Sequence, residues 1–289
     1  MPTPKHQAID QLIAEAFAIE AEDAKAAGTL GYMARIFLQA SLPHRKVDGV
    51  EFVRKNGKLT LSLMSPSKFG LPYGTIPRLL LAWLSTEAVR TQSRELILGD
   101  SLSAFMRELD MVPTGGRWGS ITRLKTQTAR LFASTVTAIY QDGSLTALSG
   151  VKVADKAMFW WDPKKPEQLA LWESKVVLTD AFFQEVVTRP VPVDLRVLKA
   201  LKKSPLALDL YGWLTYRMSY LRRPVEVPWE ALANQFGSDY GRLRAFKAAL
   251  LTELKKVVTV YPEARVEEGE RGLWLKPSPT HVGTGRGEE

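Results

Sequence analysis

The feature that most constrains the fold is an order of short elements that occurs twice along the chain. In the first occurrence, an apolar helix starting near Thr75 precedes a short strand, RELILG, and a helix, DSLSAFMRELD, with Asp100 as its N-cap. A glycine turn at residues 115–116 follows, and then a third helix, RWGSITRLKTQTARLF, at residues 117–132. Extended segments with Asp142-Gly143 at a hairpin tip complete the series.

The second occurrence repeats this order in the C-terminal half. SPLALDLYGWLTYRMSY predicts an apolar helix, RPVEVPW a short strand and WEALANQFG a second helix. SDYGRLRAFKAALLTELKK predicts a third helix, and VVTVYPEARVEEGERGLWLKP a hairpin. Trp118-Gly119 corresponds to Tyr240-Gly241, 122 residues later, which suggests an internal duplication.

Helix, strand, helix, turn, helix and hairpin is the order of a winged helix, in which the third helix is presented to DNA. The sequence therefore predicts an α+β protein with two tandem winged-helix domains. The predicted divisions are an N-terminal amphipathic helix (residues 1–28), a first domain (29–162), a second domain (168–277) and a disordered tail (278–289). The N-terminal helix is acidic, and either packs on its own domain or forms a self-association surface.

Upstream of the first series, two alternating runs flank Asn56-Gly57. This pattern is the strongest short-range signal of a β-hairpin. We therefore expect a hairpin with its tip at these two residues.

The composition favours an anionic partner. The chain has 39 Lys and Arg residues against 31 Asp and Glu residues, a net charge of +8. It has no cysteine, which fits a reducing compartment, and no continuous apolar run long enough for a bilayer span. We expect a soluble, cytoplasmic protein that does not interact with a membrane.

Recognised catalytic patterns are missing from the sequence. The three histidines, His6, His44 and His281, are scattered, which argues against a histidine metal site. There is no phosphate-binding loop of the Gly-x-x-x-x-Gly-Lys-Ser/Thr type and no Gly-x-Ser-x-Gly elbow. An enzymatic function, a metal and a cofactor are therefore not expected.

The first third helix has an outward face of cations and hydrogen-bonding groups. Its apolar stripe, with Ile121, Leu124 and Leu131, should face the core. The outward set comprises Ser120, Thr122, Arg123, Thr126, Gln127 and Arg130, and Arg117 at the start of the predicted helix adds a further cation. No acid occurs in residues 111–141, whereas solvated faces usually mix charges. These side chains suit phosphate and base contacts in DNA, and a solvated face is the alternative.

The second third helix has a similar pattern. Leu243, Phe246 and later leucines are expected inside, with Arg242, Arg244 and Lys247 outside. Positive charge in a first helical turn opposes the helix dipole, so these arginines imply an external anion such as phosphate.

A long motif resembles a known family. GLPYGTIPRLLLAWLSTEAVRTQSRELILGDSLSAFMRELD at Gly70–Asp110, followed by TGGRWGSITRLKTQTARLF, looks like the plasmid-encoded RepA replication-initiator family. The resemblance implies two winged-helix domains that bind direct repeats (iterons) in double-stranded DNA at a plasmid origin. It also implies non-enzymatic opening of A·T-rich DNA and recruitment of a host helicase loader, helicase or primase. Monomers would engage iterons, and dimers would repress the protein's own gene.

By the same resemblance, Arg117, Arg123, Gln127 and Arg130 are groove and phosphate contacts of the first domain. Arg242, Arg244 and Lys247 would serve the second, where the charge pattern is the main support. Two alternatives stay open: a winged-helix transcriptional regulator with the same helices, and a nucleic-acid enzyme, such as a nuclease or primase. The enzyme would require carboxylates that converge on a metal.

Overall fold

A computed structural model describes residues 11–13, 15, 16, 19, 23–39, 41–159, 162, 164–168, 174–237 and 240–283. The chain forms two compact units. The central unit comprises residues 42–190, and the terminal unit comprises residues 1–41 together with 191–289. Within the N-terminal helix predicted over residues 1–28, the described residues between 11 and 19 are helical. Residues 23–28 are not helical, and the others lie outside the described residues.

Helices and strands alternate along the described chain, which confirms the mixed α+β class. In chain order they are β1 (Leu30–Met33), α1 (Arg35–Gln39), β2 (Glu51–Asn56), β3 (Leu59–Met64), α2 (Thr75–Thr91), β4 (Glu95–Ile97), α3 (Leu102–Glu108), α4 (Ser120–Ala133), β5 (Thr135–Asp142), β6 (Leu145–Lys152), β7 (Ala154–Met158), β8 (Lys175–Leu178), α5 (Asp180–Thr188), β9 (Val191–Asp194), α6 (Leu195–Leu201), α7 (Pro205–Met218), β10 (Val225–Pro228), α8 (Trp229–Phe236), α9 (Leu243–Val260), β11 (Val266–Glu268) and β12 (Gly272–Leu275).

The two glycine turns form the hairpins that the sequence predicts. Gly57 joins β2 to β3 with a φ of 58°, and Gly143 joins β5 to β6 with a φ of 59°. Glycine adopts this left-handed backbone without steric cost. The four strands form one antiparallel sheet in the order β2–β3–β5–β6.

The prediction of Asp100 as the N-cap of α3 is wrong by one residue. The side-chain oxygen of Ser101 accepts a hydrogen bond from the backbone N–H of Ala104 at 3.1 Å. A cap must bond the N–H group two or three positions into the helix, and Ser101 has the spacing that α3 requires.

The compact units divide the chain at other points than the predicted domains. Strand β4 pairs with β8, and β8 also pairs with β7, so residues 162–168 lie inside the central unit rather than at its end. At the N-terminal side, β1 pairs with β9, which assigns residues 29–41 to the terminal unit. Both strand pairs join segments far apart in sequence, which local patterns do not reveal.

The core of the terminal unit is built around α7. Pro205 occupies its first turn, and the Ser204 hydroxyl caps it by accepting the Ala207 N–H. Most of its residues are buried, including Tyr211 and Leu214, which have no exposed surface. Helix α1 packs closely at Gly212, where a Cβ atom would lie 2.5 Å from Leu38. The sheet β10–β12–β11 follows this helix in the chain.

The chain after β12 packs against α7 instead of ending in the predicted disordered tail at residue 278. Val282 is buried, and Nδ1 of His281 lies 3.0 Å from the Tyr211 hydroxyl. That hydroxyl oxygen accepts the Asp194 N–H at 2.9 Å, so its own proton is available to Nδ1 of a neutral imidazole. Residues 284–289 of the predicted tail lie outside the described residues.

We expect His281 to make stability pH-dependent. Burial lowers the pKa of its imidazole, partly offset by the carboxylates of Asp194, Glu263 and Asp23. The unfolded chain, with an ordinary His pKa of about 6.5, therefore takes up the proton first as the pH falls. The stabilisation that the neutral imidazole contributes is therefore fully present above this pH and decreases below it. The free energy of unfolding in urea should be measured well above and well below this pH. It should decrease more for the wild type than for His281→Asn, whose amide oxygen replaces Nδ1. Equal decreases would contradict this role.

Candidate nucleic-acid interface

Helix α4 is held in the central unit by one buried stripe. Ile121, Leu124 and Leu131 are at most 6% exposed, as the periodicity predicts. On the opposite side, Thr122, Arg123, Lys125 and Thr126 are exposed. Within the described part of the chain, no carboxylate pairs with Arg123 or Lys125. This face is therefore positively charged and open to an anionic ligand.

Ser120 does not face outward, which corrects its assignment as a DNA contact. Its hydroxyl accepts the Thr114 N–H at 2.8 Å and donates to the Val112 carbonyl at 2.6 Å. The Thr114 hydroxyl in turn accepts the Ser120 N–H at 2.9 Å. These bonds fold residues 112–119, which we call the α4 entry loop, onto the first turn of the helix.

Gln127 and Arg130 also turn inward. Gln127 is 6% exposed, and its Oε1 accepts the Tyr73 N–H at 2.9 Å. The Arg130 guanidinium donates to the Leu71 carbonyl at 3.2 Å and lies 5.1 Å from the centroid of the Tyr73 ring. Both side chains attach α4 to residues 71–73, so the outward orientation predicted for them is wrong.

Helical geometry explains this misassignment. Ser120, Leu124, Gln127 and Leu131 follow the spacing i, i+4, i+7 and i+11, which is itself one face of a helix. Two of the four are polar, so a prediction based on hydrophobicity alone does not identify this stripe as buried. Buried polar groups need partners, and these two find them in the backbone of neighbouring loops.

The hydroxyls of Thr122 and Thr126 are exposed but bonded within the chain. Thr122 donates to the Gly116 carbonyl at 2.9 Å, and Thr126 donates to the Thr122 carbonyl at 2.8 Å. Both remain on the open face, where each oxygen still has a lone pair for a water molecule or another donor.

The entry loop presents two side chains directly before α4. Arg117 is exposed, and its guanidinium carbon lies 5.1 Å from the centroid of the Trp118 ring. Trp118 is 81% exposed. The sequence interpretation assigned Arg117 and overlooked Trp118, although an aromatic residue next to a cation before a basic helix is a recognisable signal.

Helix α9 of the terminal unit offers a second set of cations. It begins at Leu243, with Arg242 at the N-cap position. Arg242 and Arg244 are exposed, and no carboxylate among the described residues pairs with either. Leu243, expected in the interior, is 40% exposed because it lies in the first turn of the helix.

Lys247 is engaged within its own unit. Its Nζ lies 2.8 Å from Oε1 of Glu268 and 4.6 Å from the centroid of the Trp229 ring. The side chain therefore covers Trp229 and pairs with β11, whereas the sequence predicted a free outward cation. Its charge is partly neutralised, so Arg242 and Arg244 dominate this end of α9.

Two further surveys cover only the described residues. No helix there is long and apolar enough to cross a membrane. No group of three or more histidine, aspartate or glutamate side chains is arranged to hold a metal ion.

Comparison with solved structures gives the fold. The crystal structure of selenomethionine derivatives of domains 2 and 3 of RctB matches with a TM-score of 0.57 and 13% identity, covering 86% of this chain and 96% of that chain. A structure of RctB domains 2–3, residues 155–483, gives a TM-score of 0.51 and 13% identity, with 83% and 96% covered. No curated protein sequence matches this chain significantly.

The described residues define an α+β protein of two compact units, each with a helix whose exposed cations pair with no described carboxylate. The family model for the plasmid-encoded RepA protein matches residues 71–229, which is more than half of the chain. The chain therefore belongs to the RepA-type family of plasmid replication initiators, as its motif indicated. The match extends from the segment before α2 to the first residue of α8, so it includes all of α4.

Ser120→Ala tests whether this hydroxyl builds the entry loop. The substitution removes two hydrogen bonds of a side chain that is 5% exposed, each contributing about 0.5–1.5 kcal/mol, so the free energy of unfolding should fall by about 1–3 kcal/mol. Hydrogen exchange of the Thr114 amide should also accelerate. Thr126→Ala is the matched control, because its exposed hydroxyl bonds only to its own helix, and it should stay within about 0.5 kcal/mol of wild type. Equal stability of the two variants would contradict the assignment.

Proposed function

We propose that the protein initiates plasmid replication by binding repeated double-stranded DNA sites at the plasmid origin. The family membership supports a role in replication initiation, and one observation supports the DNA contact. Arg117, Arg123 and Lys125 are exposed on α4 and its entry loop, in a stretch of sequence, residues 111–141, that contains no acid. Such a surface attracts phosphate and gains affinity from the counterions that it releases.

We further propose that each unit contains a winged-helix module. In the terminal unit, helix, strand, helix, helix and hairpin follow in order from α7 to β12, and the short strand β10 pairs with β12 of the hairpin. In the central unit, the short strand β4 pairs with β8. Hairpin β5–β6 does not pair with β4. It forms one sheet with β2 and β3, and we interpret these two strands as an insertion relative to a simple winged helix. In both units the third helix of the series carries unpaired cations.

The N-terminal turn of α9 suits a second DNA contact. Arg242 and Arg244 oppose the helix dipole, an arrangement that an incoming phosphate or a guanine edge would stabilise. Two such helices on one chain would read two successive groove segments of one site without requiring a dimer.

The remaining parts of the proposal follow from the family. They are non-enzymatic opening of A·T-rich DNA, recruitment of a host helicase loader, helicase or primase, self-association between monomer and dimer, and action in the cytoplasm. Footprinting on the plasmid that carries the gene tests the central part. Protection should recur over direct repeats, spaced by about two helical turns. Protection without any repeat pattern would contradict origin recognition.

Arg123→Ala should weaken binding to origin DNA in a salt-dependent way. The lost phosphate contact should reduce the slope of log affinity against log salt by about 1. Fluorescence anisotropy over a salt series measures both affinity and slope. Arg90→Ala is the control, because Arg90 is an exposed cation on α2 that already pairs with Glu87. An unchanged slope for Arg123→Ala would remove α4 from the interface.

Arg244→Ala separates base reading from phosphate contact. If Arg244 reads a guanine, affinity for the repeat should fall by about 1–3 kcal/mol, while affinity for random DNA should change less. Competition assays with both DNAs give the ratio. Lys247→Ala is a suitable control, since Lys247 pairs with Glu268. Equal losses on repeat and random DNA would contradict base reading by Arg244.

A further inference from the structure

Trp118 is the most exposed large apolar side chain on the described surface. It is 81% exposed, whereas tryptophan is among the most thoroughly covered residues of soluble proteins on average. Val112, at the start of the same entry loop, is 77% exposed. One short loop therefore leaves two large apolar side chains exposed to water.

The entry loop holds Trp118 in place. Besides the bonds around Ser120, the Thr122 hydroxyl donates to the Gly116 carbonyl. Gly119 allows the loop to close on itself, because a Cβ atom there would lie 2.2 Å from the carbonyl oxygens of Thr114 and Gly115. The backbone that carries the indole is therefore held in a hydrogen-bonded turn, and the Arg117 guanidinium lies against the ring.

The corresponding aromatic of the terminal unit behaves differently. Tyr240, 122 residues later, is half-buried, and its ring centroid lies 5.6 Å from that of Phe246 on α9. An aromatic residue before a third helix can thus pack onto that helix. The outward position of Trp118 is not a general requirement of this turn, which favours a role in binding.

The charges around Trp118 identify the ligand class. Arg117 lies against the indole, and Arg123 and Lys125 are exposed in the first two turns of α4. The sequence contains no acid from residue 111 to 141. An aromatic face among unpaired cations is the arrangement that binds a nucleobase while the cations follow the phosphates.

We propose that Trp118 stacks on an unpaired base of single-stranded DNA. The proposal rests on the DNA-binding role of α4 and adds a contact that duplex DNA does not offer, because paired bases hide their faces in the stack. Trp118 thereby gives the α4 surface a preference for DNA strands that have separated.

Trp118→Ala and Trp118→Phe test this contact in the full-length protein. Anisotropy with a short labelled oligothymidylate should show about 5- to 150-fold weaker binding for Trp118→Ala, the range expected for one stacked base. Trp118→Phe retains a ring and should stay within about threefold of wild type. The salt slope should be unchanged in both, because stacking releases no counterions. Leu148→Ala removes another exposed apolar side chain, 68% exposed on β6, and should have no effect.

A second measurement keeps the test independent of folding. Photocrosslinking to an oligonucleotide containing 5-iododeoxyuridine, followed by mass spectrometry, should attach the base to Trp118. Unchanged affinity of Trp118→Ala for the oligothymidylate, or equal losses on that strand and on duplex, would overturn the proposal. The proposal would also be overturned if Trp118→Ala changed only the sedimentation of the protein and not its DNA binding, because Trp118 would then contact protein. The two proposals can fail separately. If Arg123→Ala binds duplex DNA like the wild type while Trp118→Ala binds single-stranded DNA more weakly, the duplex contact by α4 is contradicted and the stacking contact is supported.

Discussion

The hydrogen bonds of the Ser120 hydroxyl are the interaction on which the proposed interface depends. This group closes the entry loop onto α4 by joining Thr114 and Val112 to the first turn of the helix. The loop in turn determines where the backbone of Arg117 and Trp118 lies, directly before the helix that carries the exposed Arg123. Ser120, first assigned to DNA contact, therefore has a structural role: it builds the surface that we propose to contact DNA.

Pairing within the chain separates the cations that are available to DNA from those that are not. Lys247 pairs with Glu268, and Arg130 lies over Tyr73 and bonds the Leu71 carbonyl. Arg123, Arg242 and Arg244 have no such carboxylate among the described residues. The cations that pair with no described carboxylate keep their full charge, which attracts an anionic ligand.

The sequence predicted the local elements well and the long-range ones poorly. Helices α2 and α4 and the glycine hairpins follow from periodicity and turn chemistry, which act over a few residues. The β4–β8 and β1–β9 pairs and the boundaries at residues 41 and 190 depend on contacts between distant segments. In the candidate site, polar residues of the buried stripe, Ser120 and Gln127, were read as outward because their partners are backbone groups of other loops.

The chain has no cysteine, so one can be introduced at a single chosen place and labelled with an iron chelate that cleaves nearby DNA. Labels at Thr126→Cys on α4 and Ala245→Cys on α9, both exposed positions, report where each helix lies on origin DNA. A label at Thr91→Cys, at the exposed end of α2, serves as the control. The account predicts two discrete cleavage clusters within each repeat, one from each helix, and none from the control. Cleavage by the control label in place of the α4 label would contradict it.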